Sequence, residues 1–139
     1  MKRLLLATAL CLSMLSAHAA DANYNVVPLP KSVVMAKGKP FNLTSATTIV
    51  YEGTNPEMKR NARFLSEYIQ QSTGIKTTLL DKRDKKAAAI VLVINFKVQG
   101  DEAYRLTVNN KQVTIAASTP AGVFYGIQTL RKSLPVQTN

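Results

Sequence analysis

Residues Gln112 to Leu134 read QVTIAASTPAGVFYGIQTLRKSL, and this stretch decides the fold. Val113, Ile115 and Ala117 alternate with Gln112 and Thr114, the period of a strand with one buried face. Thr119-Pro120 then supplies a helix N-cap followed by proline at the first helical position, where its missing N–H costs nothing. Val123, Ile127, Leu130 and Leu134 repeat at helical spacing, and Pro135 stops the helix, so the prediction is a strand, a capped turn and a helix over about Pro120–Leu134. Gly122 and Gly126 lie four apart inside that helix. An interior glycine costs about 1 kcal/mol relative to alanine, so a close approach is expected there. The approach is either to the module's own sheet or to a further domain, and both glycines are candidate interdomain contacts.

Upstream, Tyr104, Leu106 and Val108 alternate with Arg105 and Thr107. A two-residue loop at Asn110-Lys111 pairs Val108 with Val113, Leu106 with Ile115 and Tyr104 with Ala117, which puts every apolar side chain on one face. Ala87 to Ile94 is an unbroken apolar run rich in valine and isoleucine, expected to be a strand covered on both faces. Lys76 to Leu80 reads as another strand. The first helix, about Pro56–Thr73, opens at Asn55-Pro56, carries Met58, Ala62, Leu65 and Ile69 as its buried stripe, and ends at Gly74. Phe64 and Tyr68 widen its apolar face. Phe41 with Leu43, and Thr47 to Tyr51, suggest two short strands before it. Val26-Val27-Pro28-Leu29-Pro30 is extended, because proline fixes its own φ and pushes its neighbour out of the helical region. The fold class is α+β: a mixed sheet with two main helices in a two-layer sandwich.

The chain begins with Met1-Lys2-Arg3, an apolar stretch from Leu4 to Leu15 and the small-x-small triplet Ala17-His18-Ala19. These are the three parts of a secretory leader, so residues 1–19 are expected to be removed and residues 20–139 to form one exported domain, periplasmic or secreted. The apolar stretch is too short for a membrane span. Of the 139 residues, 120 remain after the leader, enough for one core. Cys11 and His18 both leave with it, which excludes disulfides, thiolate or imidazole catalysis and zinc sites built on those ligands. No cofactor or metal is expected.

Lys2 and Arg3 are two of the 18 basic residues, so 16 remain against 8 acidic ones, a net charge of +8. Polyanion binding is therefore a reading to weigh. The densest run, Lys82-Arg83-Asp84-Lys85-Lys86, falls in a loop between two strands and contains no aromatic residue for base stacking, so no nucleic-acid partner is expected. Asp101-Glu102 is the only adjacent pair of carboxylates. It follows Gly100 and precedes a strand, which reads as an exposed turn without the pocket a general acid needs. No nucleophilic triad and no phosphate-cradling glycine loop is present.

Four blocks together carry a resemblance: Val26-Val27-Pro28-Leu29-Pro30-Lys31-Ser32-Val33; Arg63 to Ile69 with Thr73-Gly74; Gly100 to Leu106; and Ser118 to Leu130. Their order resembles the N-terminal accessory domain of family-twenty β-N-acetylhexosaminidases, with the last block the most specific. The resemblance implies a non-catalytic α+β module placed before a (β/α) barrel that holds all the chemistry. In the family, the catalytic Asp-Glu pair lies in a His-x-Gly-Gly context inside the barrel, where the substrate's acetamido group acts as nucleophile. Here Gln99-Gly100 precedes Asp101-Glu102 and no histidine is near, so no catalytic residue is carried over. The expected partner is that barrel, with amino-sugar glycan reached only through it. A stand-alone carbohydrate- or polyanion-binding module, and an interaction or inhibitor-like protein acting through the last helix, are the alternatives.

Overall fold

The computed structural model describes residues 30–134 apart from 36, 85, 95 and 96. The expected leader, the extended segment before Pro30 and the Pro135 stop lie outside the described residues. Seven elements follow one another: β1 (Thr48–Tyr51), α1 (Pro56–Thr73), β2 (Thr78–Leu80), β3 (Ala89–Val93), β4 (Tyr104–Val108), β5 (Gln112–Ala117) and α2 (Pro120–Ser133). The strands form one mixed sheet in the order β2-β1-β3-β5-β4. Only the β4–β5 pair is antiparallel; β1 is parallel to β2 and β3, and β3 to β5. The α+β class is as the sequence indicates.

The hairpin has the register read from its alternation, with Tyr104 opposite Ala117, Leu106 opposite Ile115 and Val108 opposite Val113. Its turn is closed by Asn109, whose Oδ1 accepts from the backbone N–H of Lys111 and of Gln112 at 2.9 Å each. Both helix caps also form as their sequences dictate. The Asn55 carboxamide oxygen accepts from the N–H of Glu57 at 2.9 Å and of Met58 at 3.3 Å, and Gly74 ends α1 in the left-handed region at φ 73°.

The two helices lie side by side on one face of the sheet and run in the same direction. Asn61 Nδ2 donates to the Pro120 carbonyl at 2.9 Å near their starts, and the Tyr68 hydroxyl donates to the Arg131 carbonyl at 3.4 Å near their ends. Met58, Ala62, Leu65 and Ile69 of α1, with Val123, Ile127 and Leu130 of α2, close over Ile49, Ile90, Leu92, Val113 and Ile115 to make the main core. At about 25 cal/mol per Å2 of apolar surface, this layer contact is the principal stabilising term.

A second, smaller cluster of Val50, Ala89 and Val91 is buried on the opposite face, which carries no helix among the described residues. Topology explains it. The chain moves from β1 across α1 to β2 in one direction along the sheet, then from β2 past β1 to β3 in the other, with all three strands parallel. Right-handed crossovers that travel in opposite directions lie on opposite faces, so the connection from Leu80 to Ala89 crosses the face away from the helices. The expectation that the Ala87–Ile94 run is covered on both faces is met over Ala89–Leu92, with the helix layer on one side and the cluster of Val50, Leu80 and Val93 around Ala89 and Val91 on the other.

The expected strand at Phe41–Leu43 does not form. Both edges of β1 are occupied by β2 and β3, and a turn intervenes, closed by Thr47 N–H to the Thr44 carbonyl at 2.9 Å and Thr44 N–H to Thr47 Oγ1 at 3.0 Å. Phe41 and Leu43 instead pack as unpaired side chains against the main core. The strands expected at Lys76–Leu80 and Ala87–Ile94 are shorter, at Thr78–Leu80 and Ala89–Val93. Just before β2, Thr77 Oγ1 shares a hydrogen bond of 2.8 Å with Ser66 Oγ of α1.

Candidate docking surface on the helix layer

Gly122 and Gly126 are buried, and each faces this chain's own sheet layer. A Cβ on Gly122 would stand 2.6 Å from the Ala103 carbonyl oxygen and 2.8 Å from the Ala117 Cβ. One on Gly126 would collide with Ile115 Cγ2 and approach the Tyr104 ring to 3.2 Å. Of the two close approaches open to the sequence, the internal one accounts for both glycines. The helix surface left for a further domain is a different one.

That surface begins with Phe124 and Tyr125, which share a turn with the glycines but point away from the sheet, at 38% and 42% exposure. Their rings meet edge-on at a centroid distance of 6.1 Å, and Phe124 is 5.5 Å from Phe64 of α1. Phe64 and Tyr68 are one helical turn apart on α1, and between them sits the guanidinium of Arg131, its Cζ 4.9 Å from the Phe64 centroid and 4.1 Å from that of Tyr68. Such stacking contributes about 0.5–1 kcal/mol at exposed sites and more when desolvated. Arg131 Nη1 donates to Gln128 Oε1 at 2.7 Å, while its Nε is buried without a hydrogen-bond partner among the described residues. The outer surface of the helix pair is thus an aromatic ridge with a fixed guanidinium at one end. The sequence pattern puts Phe64 and Tyr68 with the sheet-facing stripe; the i, i+4 aromatic pair on α1 and the arginine at the end of α2 are the signal by which the ridge could be found.

At the other end of the ridge, between the starts of both helices, lies an open groove of about 330 Å3 bordered by Glu57, Arg60, Glu102, Phe124 and Tyr125. Glu57 and Arg60 form an ion pair of 3.5 Å, both side chains more than half exposed, which makes its contribution small. Glu102 Oε1 accepts from the Tyr125 hydroxyl at 3.5 Å. Asp101 contributes through its backbone: its carbonyl accepts from Thr119 Oγ1, the N-cap of α2, which itself accepts from the Gly122 N–H at 3.1 Å. Gly100, at φ 102°, turns the chain so that the Ala103 N–H reaches the Gly100 carbonyl. Asp101 and Glu102 are both exposed, and the structure gives them a turn that buttresses the start of α2. Among the described residues no group of three or more His, Cys, Asp or Glu side chains gathers to hold a metal ion, and no helix is long and apolar enough to cross a membrane.

Residues 23–139 match the family model for glycosyl hydrolase family 20, domain 2. The chain belongs to that family. Among its relatives are a beta-hexosaminidase of Porphyromonas gingivalis, 25% identical over 118 residues, and a beta-N-acetylhexosaminidase of Cellulomonas fimi, 28% identical over 110 residues. These alignments cover 84% and 78% of this chain but only 15% and 22% of the relatives. The same proportion holds in three dimensions. The family-20 beta-N-acetylhexosaminidase of Streptomyces coelicolor superposes with a TM-score of 0.75 at 32% identity, over 84% of this chain and 23% of that one. The chain therefore spans about a fifth of the length of these relatives and corresponds to their domain 2, a non-catalytic accessory domain of family-20 enzymes.

Proposed function

We propose that this chain serves as the exported accessory module of a β-N-acetylhexosaminidase, inactive alone, which supports a catalytic (β/α) barrel by docking the outer face of its helix pair against it. The observation that carries this reading is the ridge of Phe64, Phe124, Tyr125 and Arg131. It is aromatic and arginine-bearing, the composition that concentrates at interface centres, and Phe124 and Tyr125 stand exposed on its outer side while Phe64 anchors it to the module's core. Export rests on the charged start, apolar stretch and Ala17-His18-Ala19 of the leader. Action on N-acetylated amino sugars is taken from the names of the relatives, and it belongs to the barrel.

A chimaera tests the docking. This chain replaces the corresponding module of the Streptomyces coelicolor enzyme, and unfolding is followed by calorimetry. Docking predicts one coupled transition in the chimaera and two separate ones when Phe124→Asp is introduced. Two independent transitions in both proteins would exclude the ridge as the contact.

A further inference from the structure

We propose that Arg131 is the polar anchor of the docking ridge and receives a carboxylate side chain of the catalytic barrel. This inference rests on the docking reading and adds to it the chemistry of the partner. It starts from an unmet donor. An arginine guanidinium is a planar, permanently charged fork of N–H groups. In Arg131, Nη1 donates to Gln128 Oε1 at 2.7 Å, whereas Nε is buried and has no acceptor among the described residues. Nor does Arg131 form an ion pair with a carboxylate among the described residues; the Arg60–Glu57 pair lies towards the opposite end of the helices. Buried donors are ordinarily satisfied, so an orphan at the rim of the ridge calls for an acceptor from outside the module.

The side chain is positioned before any partner arrives. The rings of Phe64 and Tyr68 lie 4.9 Å and 4.1 Å from its Cζ, Gln128 fixes one nitrogen, and the Tyr68 hydroxyl donates to the Arg131 carbonyl at 3.4 Å. A cation that only complemented the negative end of α2 would need no such clamp, and Lys132, exposed in the same last turn, already supplies that charge. A clamped guanidinium loses little freedom on binding and matches a carboxylate in bidentate fashion. Charge then selects an acid among possible acceptors. α2 carries Arg131 and Lys132 and no acidic residue, and α1 carries Lys59, Arg60 and Arg63 against Glu57 and Glu67, so the helix layer is net positive. Covering it with a surface that lacks an acid would desolvate Arg131 without compensation. The superposition covers only 23% of the Streptomyces coelicolor enzyme, which leaves most of that chain to supply the opposing surface.

The test extends the docking chimaera with Arg131→Met and Arg131→Lys, each made also in the isolated chain. The Arg131→Met chimaera should lose the coupled transition, its module melting where the isolated Arg131→Met chain melts, while the isolated chain itself shifts little. In the Arg131→Lys chimaera, a carbodiimide that joins amines directly to carboxylates should link position 131 to an aspartate or glutamate of the barrel, as read by mass spectrometry of the digest. Coupling that survives Arg131→Met but is abolished by Phe124→Asp would overturn the carboxylate anchor and leave docking intact. If neither substitution uncouples the chimaera, the docking reading itself fails and this inference with it. An equal fall in melting temperature in the isolated chain and in the chimaera would make Arg131 an internal brace and overturn the proposal, as would a cross-link from position 131 that stays within the module.

Discussion

The hydroxyl of Tyr104, on the edge strand β4, shares a hydrogen bond of 2.5 Å with Thr129 Oγ1 on α2. This contact ties the outermost strand to the helix layer across the half-buried margin of the core, beside the point where Gly126 passes the Tyr104 ring. Tyr104→Phe removes it while keeping the ring. The expected loss is about 0.5–1.5 kcal/mol in chemical denaturation, with Thr129→Val in the Tyr104→Phe background adding little because the bond is already gone.

Gly126→Ala should destabilise the chain, against the gain of about 1 kcal/mol that the exchange brings in an open helix. The new methyl meets Ile115 Cγ2, and overpacking costs typically about 1–3 kcal/mol. A melting temperature equal to or above that of the parent would show that the glycine face has room. Ile127→Ala, which deletes methyl groups at a fully buried position, should cost about 2–5 kcal/mol.

Arg131→Met keeps an aliphatic stem between Phe64 and Tyr68 but removes the stacked charge. In the isolated chain the cost should stay near 0.5–1 kcal/mol by denaturant titration, since the guanidinium is stacked at a partly exposed site. A loss of several kcal/mol would instead make the arginine a core element of the module.

No hydrolysis of N-acetylglucosaminide or N-acetylgalactosaminide substrates is expected from this chain. Asp101 and Glu102 are exposed in a turn, and although Glu102 borders the open groove beside Tyr125, neither carboxylate is buried as a general acid with a raised pKa requires. Turnover abolished by Asp101→Asn or Glu102→Gln would contradict this.

Intact-mass measurement of the exported protein should give a chain that begins at Ala20 and carries no thiol, because Cys11 leaves with the leader. Retention of residues 1–19 would remove the argument for export.

Elements with both a periodic pattern and a boundary signal were legible from sequence. The helices had Asn55-Pro56 and Thr119-Pro120 as starts, and the hairpin had alternation on both sides of Asn109, so their positions and register agree with the structure. Phe41-Asn42-Leu43 had alternation, but both edges of the neighbouring strand β1 are taken by β2 and β3, and edge availability is a tertiary property. Gly122 and Gly126 announced a close approach without naming the partner, because spacing says how near another atom can come and not which atom it is. The ridge was hidden for a related reason: Phe64 and Tyr68 extend an apolar stripe whether they face the sheet or hold Arg131 at its rim.

The sheet order has a consequence for how the chain can come apart. β3 sits at the centre between β1 and β5, strands that come from opposite halves of the sequence. Removing either half would expose one edge of β3, its most apolar strand, and strip one helix from the shared core. The N-terminal half therefore has no stable stopping point of its own: an emerging chain gains its central strand's second neighbour only once β5 has been made. Unfolding should accordingly be all-or-none, and a partially translocated or proteolytically shortened chain should expose an adhesive strand edge in place of a smaller folded unit.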